Sequence, residues 1–570
     1  MASGSFASPD TSVGGESVEM PVVNIRVDKL LKLLGSEMTV EELSENLAAL
    51  GLSVEEASDT ALKVEYNPNR PDFSSVYGVA RALKGFLGIA TGLPKYAVRK
   101  PKTAMRVDGS VEEVRPFIAC AFVRGLSLDE TDLLELIAMQ EDLHWVVGRN
   151  RRKVAIGLHD ASAVKPPFVY KAVMPDEVRF TPLKDYRKMT PAEVLAKNEI
   201  ARKYAHLVAG YPRYPVILDA RGEVFSMPPV VNASLTELTP GKRDIFIDVT
   251  GTDWEKVSKA INILVSAMAE AGGRVEQVRV LYGGRTWITP DLRPERMVLD
   301  ASLASSLTGL ELSPAKSAKL LRMMRMDARV KGRRIVVQYP AYRVDILHPA
   351  DLVEDISIAY GYNRMTPAKP VSNTYGKLLP RTEFLERVAE MMVGLGYTEV
   401  HNLMLINEHL HYELTQTAEE RHIRLANPAT REYTMIRTSL IPSILSTLAS
   451  NKDNLYPQNI YEIGDVAVVD ETKPEKTVRL RRLALASAHS EADYSVVKST
   501  LDELFKLLKL KPTYRAEDLN PFTPGRCASV WLDGKQVAVA GEVSPQVLEN
   551  FGLAMPVAAA EIMLERITQP

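Results

Sequence analysis

Apolar and polar residues alternate along the 570-residue chain in patterns that predict a series of short strands and amphipathic helices. A strand is predicted over residues 22–26, and a short helix follows from Asp28. A second helix begins at the capping-box pair Thr39 and Glu42 and stops at Gly51. Later strands are predicted at residues 117–123, 154–159, 244–250, 399–405, 459–463, 482–487 and 537–541, and later helices at residues 382–395 and 496–510. This order predicts a multidomain α+β protein whose last part is an antiparallel sheet with helices on it.

The strand at residues 244–250 has two different sides, because successive side chains of a strand point to opposite faces. One side is apolar and the other is mixed: the first carries Ile245, Ile247 and Val249, and the second Asp244, Phe246, Asp248 and Thr250. An aromatic ring flanked by acceptors and a hydroxyl suits the wall of a binding pocket. Taken alone, however, the pattern favours the simpler interpretation of a strand with one side in solvent.

Two segments of the chain, residues 28–85 and 300–362, share one plan: an amphipathic helix, two short strands, an Arg-x-Asp turn and a second helix. The sequence therefore predicts two related small domains. The turns align as Arg70 and Asp72 with Arg343 and Asp345. The later copy has three acids that the earlier copy lacks, and the matching pairs are Asp351 and Gly78, Glu354 and Arg81, and Asp355 and Ala82.

The acids of the later copy make a candidate metal site. Pro349 suits the first turn of a helix, which would place Asp351, Glu354 and Asp355 on one face, with Asp345 arriving from the preceding strand. Mg²⁺ prefers a few carboxylate oxygens and tolerates remaining waters. The alternative is that acids in a first turn simply favour the positive end of the helix dipole. Since the earlier copy builds its helix without them, the dipole is not a requirement of the architecture, and both interpretations stay open.

Composition narrows the classes of protein. The length allows three or four domains, and 46% hydrophobic with 25% charged residues is ordinary globular usage. A formal net charge of -2 excludes a generally basic protein that coats nucleic acid, so RNA would have to contact local patches. Two cysteines, Cys120 and Cys527, make no disulfide framework, which favours a reducing cytoplasm. No apolar run is long enough to cross a membrane.

Residues 148–153 concentrate four cations immediately before a predicted strand. Such a run suits a phosphate backbone, but most short basic runs are solvated loops, which charge alone favours. His144, His159 and His206 match no zinc-ligand spacing and are interpreted as core or surface residues. The predicted organisation is a flexible leader at residues 1–19, followed by domains at residues 20–95, 105–287, 290–367 and 378–570.

Several of these runs together resemble one family, the β subunit of phenylalanine–tRNA ligase of the archaeal and eukaryotic kind. The resemblance extends from about residue 20 to the end of the chain. Its most specific pieces are residues 67–72, 244–253, 342–349 with the acidic helix that follows, and 461–465. Each piece is weak alone, but their order and spacing together are specific to this family.

The resemblance implies an α₂β₂ synthetase that acts on tRNA(Phe), in which the α subunit binds ATP and phenylalanine and performs both activation and transfer. The last domain would then be a class II synthetase-like fold that has lost its chemistry and packs on α. This sequence agrees, because its final hundred residues contain no Gly-x-Gly-x-x-x-Arg segment for ATP. Asn427, Arg431 and Arg437 lie where an ATP-binding arginine motif would be sought, but they lack that partner.

The resemblance also implies that the domain at residues 105–287 is a B3/B4-like editing domain, which hydrolyses tyrosine wrongly attached to the tRNA. Its pocket residues would be Asp248 and Thr250, with Leu218, Ser226 and Asn232 as neighbours. A second site is useful because a pocket shaped for an aromatic ring rejects an added hydroxyl only modestly. No histidine or cysteine matches a motif for a general base, so the hypothesis relies on a positioned water and the tRNA 3′ hydroxyl.

The four acids match the family's structural Mg²⁺ site at the α/β boundary, in a B5-like domain, residue for residue on Asp345, Asp351, Glu354 and Asp355. Two other functions remain as hypotheses. One is a noncatalytic RNA-binding scaffold paralogue that keeps the fold without partner or hydrolysis. The other is a self-sufficient aminoacyl-tRNA ligase, which formation of aminoacyl-adenylate by the chain alone would establish.

Overall fold

A computed structural model describes residues 20–241 and 243–567 of the chain. The predicted leader at residues 1–19 lies outside the described residues. The chain divides into two compact units between Ala368 and Lys369. Among the described residues, no helix has the length and apolar character needed to cross a lipid bilayer.

The first unit begins with a small domain in which helices cover one three-stranded sheet. Its elements are β1 (Val22–Arg26), α1 (Val27–Leu34), α2 (Val40–Ala49), β2 (Ser53–Ala57), β3 (Ala61–Glu65) and α3 (Val76–Phe86). The sheet order is β1-β3-β2, with all pairs antiparallel. The predicted capping box is confirmed, since the Thr39 hydroxyl accepts from the Glu42 N–H and the Glu42 carboxylate accepts from the Thr39 N–H.

A large mixed sheet follows. Its strands are β4 (Val98–Val107), β5 (Phe117–Arg124), β6 (Val154–Asp160), β7 (Phe168–Val173), β8 (Tyr214–Leu218), β9 (Val224–Met227), β10 (Val231–Asn232), β11 (Ile245–Gly251), β12 (Arg274–Tyr282) and β13 (Arg285–Thr289). The helices between them are α4 (Glu130–Val146), α5 (Pro191–Lys197), α6 (Glu199–Tyr204) and α7 (Trp254–Glu270). The order is β10-β9-β8-β7-β4-β12-β5-β11-β6, and β13 pairs with β12.

Strand β11 lies inside this sheet, between β5 and β6, and all of its residues are buried. The predicted alternation is confirmed, because Ile245, Ile247 and Val249 join the core under α7, whereas Phe246 packs in an aromatic cluster on the other face. The interpretation of one solvent-facing side is therefore wrong. Helix α7 covers one face of the strand, and an aromatic cluster of Phe122, Phe168 and Phe225 covers Phe246 on the other.

The first unit ends with a second small domain, built from β14 (Glu295–Asp300), α8 (Ala301–Thr308), α9 (Pro314–Met323), β15 (Asp327–Lys331), β16 (Arg334–Tyr339) and α10 (Pro349–Tyr360). Its sheet order, β14-β16-β15, repeats that of the first small domain, which confirms the predicted internal repeat. The two copies share one continuous hydrophobic core. The guanidinium of Arg81 also lies over the Tyr342 ring, 3.6 Å from its centroid.

The carboxylate of Asp142 on α4 gives the first unit a measurable pH dependence. Its Oδ2 accepts a hydrogen bond of 3.2 Å from the Tyr66 hydroxyl. Burial raises the pKa of Asp142 from 3.8 to about 6. The folded chain therefore holds this proton over a range in which the unfolded chain has lost it, so the contribution to stability is present below pH 4 and is lost as the pH rises to 6.

We expect the Asp142→Asn variant to lose less stability than the parent chain between pH 4 and pH 6. The difference should be about 1 kcal/mol, since the side chain is half-buried and solvent screens part of the effect. Urea unfolding at the two pH values measures it. Parallel pH dependences of the two proteins would contradict the assignment.

The second unit is a sheet with helices on both faces. Its helices are α11 (Pro380–Gly394), α12 (Ile441–Ser450), α13 (Tyr494–Leu507) and α14 (Pro545–Asn550). Its strands are β17 (Thr398–Glu399), β18 (Leu405–Ile406), β19 (Met435–Ile436), β20 (Gln458–Val469), β21 (Thr477–Ala488), β22 (Thr513–Ala516), β23 (Phe522–Leu532), β24 (Lys535–Val543) and β25 (Val557–Met563). The main order is β17-β20-β21-β25-β24-β23-β22, and only the β17–β20 pair is parallel. The multidomain α+β class is thus confirmed.

The predicted strand at residues 399–405 is wrong as one element. The chain leaves the sheet after Val400, whose N–H donates to the Tyr461 carbonyl. Asn402 then turns inward, and its side-chain amide donates to Glu462 over 2.9 Å. This hydrogen bond to Glu462 on β20 turns the chain out of the sheet, so the strand ends before the residues that the local apolar pattern included.

Candidate functional site

A cavity of about 440 Å³ opens in the large domain of the first unit. Its walls come from α4, β6, β11 and the segment after β9. Its lining includes Gln140, Glu141, Arg151, Gly157, Leu158, Lys184, Ile200, Ser226, Val231, Asn232, Thr236, Glu237 and Asp248. The volume is within the range of small-molecule sites, and a mainly apolar wall with a few converging polar groups is their usual character.

Asp248 is the buried charge of this cavity. Its Oδ1 lies 2.7 Å from Nε2 of His159, and the two side chains are 1% and 0% exposed. The other ring nitrogen of His159 lies 2.8 Å from the Thr236 hydroxyl. Asp248 Oδ2 is buried and has no hydrogen-bond partner among the described residues. A buried carboxylate oxygen is costly to leave unpaired, so Oδ2 is available to accept a hydrogen bond from a ligand or water.

The pairing of β11 with β6 explains this geometry. Asp248 stands opposite Gly157 in the antiparallel ladder, and His159 stands opposite Phe246. A Cβ at residue 157 would collide with Asp248 Oδ1 and with His159 Nε2. Glycine is therefore required at this position, because it lets the carboxylate and the imidazole meet above the strand.

Ser226 and Asn232 also line the cavity, as predicted for the site. The Ser226 hydroxyl donates to Asn232 Oδ1 over 3.2 Å, and the Asn232 amide donates to the Leu158 carbonyl over 3.4 Å. The structure thus brings three of the five predicted pocket residues together around one space.

Thr250 and Leu218 lie outside this lining. The Thr250 hydroxyl and carbonyl accept hydrogen bonds of 2.9 and 2.8 Å from the buried Arg115 guanidinium. Burial lowers the pKa of Arg115 to about 10. Leu218 pairs with β7 and packs against the apolar cluster of the α5–α6 lobe. Side-chain alternation places Thr250 on the same side of β11 as Asp248. Beside Thr250, however, Arg115 occupies that side of the strand.

Three residues of the site were not identified from the sequence: His159, Glu141 and Arg151. His159 was interpreted as a core or surface histidine, and it is buried, but its ring also contacts the Asp248 carboxylate that lines the cavity. The local sequence showed only that His159 and Gly157 fall on the same side of a predicted short strand. The contact itself depends on the register of two strands almost ninety residues apart, which periodicity does not encode.

Two of the four predicted metal ligands, Asp345 and Asp355, are arranged around a cation of the protein itself. Arg343 donates to both oxygens of Asp345, over 2.8 and 2.6 Å, and to Asp355 over 2.9 Å. Burial raises the pKa of Asp355 to about 6. Burial also acts to raise the pKa of Asp345, but the charge and hydrogen bond of Arg343 together with the Arg70 charge outweigh it, and the pKa is lowered. Helical periodicity predicted Asp355 on one face with Asp351 and Glu354, but its side chain is buried against Arg343 and is not a free carboxylate.

Asp351 and Glu354 have different surroundings. Oδ2 of Asp351 accepts from the Leu347 and His348 N–H groups over 2.7 and 2.6 Å, in a capping box at the start of α10. Glu354 is exposed. Among the described residues no three acid, histidine or cysteine side chains converge as metal ligands. This arrangement does not fit a metal held by the chain alone.

The second unit has a buried ion pair where an ATP-binding arginine was sought. The Arg437 guanidinium donates to Glu462 over 2.6 Å and to the Asp465 carbonyl over 3.0 Å, with both side chains at most 1% exposed. Asn427 and Arg431 are exposed. Arg437 is therefore committed to the core of the sheet.

Three family models match the chain. They are the Phe-tRNA synthetase beta subunit B1 domain over residues 20–89, the tRNA synthetase B5 domain over residues 297–362, and the Phenylalanyl tRNA synthetase beta chain CLM domain over residues 366–564. These matches, with the fold, define the class of protein as a subunit of an aminoacyl-tRNA ligase.

Comparison with individual proteins shows which aminoacyl-tRNA ligase family the chain is similar to. The phenylalanine–tRNA ligase beta subunit of Methanothrix thermoacetophila is 40% identical over 96% of this chain and 100% of its own length, and that of Archaeoglobus fulgidus is 41% identical over 96% and 98%. A crystal structure of an N-terminal fragment of the Pyrococcus horikoshii phenylalanyl-tRNA synthetase beta subunit is 38% identical, covers 60% of this chain and 99% of that chain, and gives a TM-score of 0.58. The chain belongs to the phenylalanine–tRNA ligase beta subunit family.

Proposed function

We propose that this chain assembles with an α subunit into an α₂β₂ phenylalanine–tRNA ligase, and that its large domain hydrolyses tyrosine wrongly attached to tRNA(Phe). The single observation that carries the editing proposal is the buried Asp248 carboxylate, which lines a ligand-sized cavity with one oxygen unpaired. The relatives are named as beta subunits of phenylalanine–tRNA ligase, and this name is the support for the α partner and for the tRNA.

The cavity selects tyrosine by pairing a group that phenylalanine lacks. Asp248 Oδ2 would accept a hydrogen bond from the tyrosine hydroxyl, while the apolar wall takes the ring. Phenylalanine would leave that oxygen buried and unpaired, which costs free energy and keeps the correct product out. His159 is a positioning residue here, since it occupies Oδ1 and leaves Oδ2 for the ligand. Hydrolysis would use a water held by the polar wall and the tRNA 3′ hydroxyl.

The second unit would serve as a class II synthetase-like scaffold that binds α without chemistry of its own. Support comes from Arg437, which is committed to Glu462 in the core. ATP would be used by the complex through α. We also propose the cytoplasm as the compartment, and the boundaries 20–95, 105–287, 290–367 and 378–570 stay predictions.

The test is co-expression with the α chain, a mass measurement, and assays of charging and of Tyr-tRNA deacylation. We expect a heterotetramer that charges tRNA(Phe) and deacylates Tyr-tRNA. A stable chain with no affinity for α would support the scaffold paralogue instead. Pyrophosphate exchange or aminoacyl-adenylate formation by the chain alone would overturn the scaffold role of the second unit.

The Mg²⁺ site at Asp345, Asp351, Glu354 and Asp355 also stays a prediction. The exposed carboxylate of Glu354 and the second oxygen of Asp351 are the groups that would hold the ion, which would neutralise acidic charge at the boundary with α and take its other ligands from the partner or water. We expect Asp351→Asn with Glu354→Gln to lower Mg²⁺ bound by the complex and to weaken assembly, as measured by metal analysis and sedimentation. No change in either would assign Asp351 to helix capping alone.

A further inference from the structure

The loop between α4 and β6, residues 149–153, stands at the mouth of the cavity in an unusual conformation. Arg149, Asn150 and Arg151 have φ angles of 49°, 52° and 63°, so three consecutive residues with side chains occupy the left-handed region. Residues other than glycine adopt this region rarely and as single residues. A run of three costs free energy, and it persists only where contacts around it hold it.

Arg151 supplies those contacts. Its guanidinium donates to Glu141 over 2.8 Å, lies 4.0 Å from the centroid of the Tyr204 ring, and reaches the Pro229 and Val230 carbonyls over 3.4 and 3.3 Å. Burial alone would raise the pKa of Glu141, but the hydrogen bond with His144 and the Arg151 charge lower it to about 2. The Glu141–Arg151 pair is therefore charged throughout the physiological range and fixes the loop to the cavity wall.

The fixed loop directs its other cations outward. Arg149 and Arg152 are exposed, and so is Lys184, which lines the cavity. Lys203 is also exposed, and it shares a face of α6 with Ile200, which lines the cavity, and with Tyr204, which contacts Arg151. None of these four cations forms an ion pair within the described part of the chain. We call Arg149, Arg152, Lys184 and Lys203 the basic rim.

The charge of the rim is local. The whole chain has a formal net charge of -2. The carboxylates that line the cavity are Asp248, which contacts His159, Glu141, which is paired with Arg151, and Glu237, which is exposed. Glu199, four residues before Lys203 on α6, is also exposed. The four rim cations outnumber the exposed carboxylates Glu199 and Glu237, which leaves the mouth positive. A positive, preformed rim around a cavity suits a polyanion whose end enters the cavity, because phosphate contacts position a nucleic acid without reading its sequence.

We infer that the basic rim binds the backbone phosphates of the single-stranded 3′ end of an aminoacylated tRNA and so aligns its terminal ester with the Asp248 cavity. The inference rests on the proposed editing function and adds the residues that position the RNA. The strained loop is part of this role, since a loop already held in its binding geometry loses little conformational freedom when the RNA arrives.

The test compares the parent α/β complex with the Arg149→Ala/Arg152→Ala variant in Tyr-tRNA deacylation. We expect KM to rise about tenfold with kcat within about twofold, and the salt dependence of kcat/KM to fall by about 0.7 in log–log slope for each phosphate that the variant no longer binds. The matched control is Arg333→Ala/Arg334→Ala, which removes the same charge from two exposed residues at the start of β16 and the turn before it, and should leave KM unchanged. An equal rise in both variants would overturn the inference.

A binding measurement separates this inference from the proposed function. A fluorescent single-stranded RNA with a tRNA 3′ sequence should bind the parent complex and the control alike, and should bind the Arg149→Ala/Arg152→Ala variant about tenfold more weakly. If the parent complex does not deacylate Tyr-tRNA, the editing proposal fails. The RNA-binding measurement still tests whether the basic rim binds RNA. Unchanged RNA affinity in the variant would overturn the rim as an RNA site.

Discussion

The Asp248→Asn variant should deacylate Tyr-tRNA roughly 10- to 100-fold more slowly than the parent complex, in kcat/KM, and should still charge tRNA(Phe) at the parent rate. Asparagine has nearly the same size, so the cavity keeps its shape. The substitution removes a charge-assisted hydrogen bond to the tyrosine hydroxyl, which contributes about 1.5–3 kcal/mol. Charging is unaffected because activation and transfer take place on α in the proposed assembly.

Two further variants make this test specific. Thr250→Val removes a hydroxyl from the same strand, but that hydroxyl is engaged by Arg115 outside the cavity, so deacylation should stay within about threefold of the parent. His159→Gln should lower deacylation and alter its pH profile if His159 positions Asp248. If Thr250→Val slows deacylation as much as Asp248→Asn does, Thr250 belongs to the pocket and the Asp248 cavity is not the editing site.

The Arg343→Met variant should destabilise the first unit by about 3–5 kcal/mol. Methionine fills much of the volume, but it leaves the Asp345 and Asp355 carboxylates buried without their shared cation. Removing one partner of a buried ionic network costs this much because the remaining charges stay desolvated. Urea unfolding monitored by tryptophan fluorescence measures the free energy of unfolding, since three of the four tryptophans lie in the first unit.

The control for Arg343 is Arg329→Ala in the same small domain. Arg329 is 77% exposed, lies 3.3 Å from Asp327, and should contribute less than about 1 kcal/mol. If Arg343→Met costs no more than this control, the two aspartates are neutralised by something other than the arginine, and a bound cation becomes the better explanation of their charge.

Local signals predicted much of the fold. The capping box at Thr39, the proline at the start of α10 and the two sides of β11 all depend on neighbouring residues, and the structure confirms each of them. The internal repeat was also visible, because it compares one local pattern with another. The α+β class followed from these elements and from the order of strands and helices.

The candidate site was predicted only in part. Asp248 was identified from its strand, but its partner His159 comes from a strand whose register is set by tertiary packing. The position of Asp355 was missed for the same reason, since helical periodicity gives its face and not the buried arginine that draws it inward. The strand predicted at residues 399–405 ends early, because the Asn402 side chain donates a hydrogen bond to the distant Glu462. In each case a polar contact between remote parts of the chain outweighed the local pattern.

The common core of the two small domains has a consequence for biosynthesis. One copy ends with α3 at Phe86 and the other with α10 at Tyr360, so about 270 residues separate the halves of a single apolar interior. At about 5–20 residues per second, a ribosome needs roughly 15–55 s to make that interval. During this time the nascent amino-terminal copy has an uncovered surface, and chaperones that recognise such surfaces should engage the growing chain until its counterpart emerges.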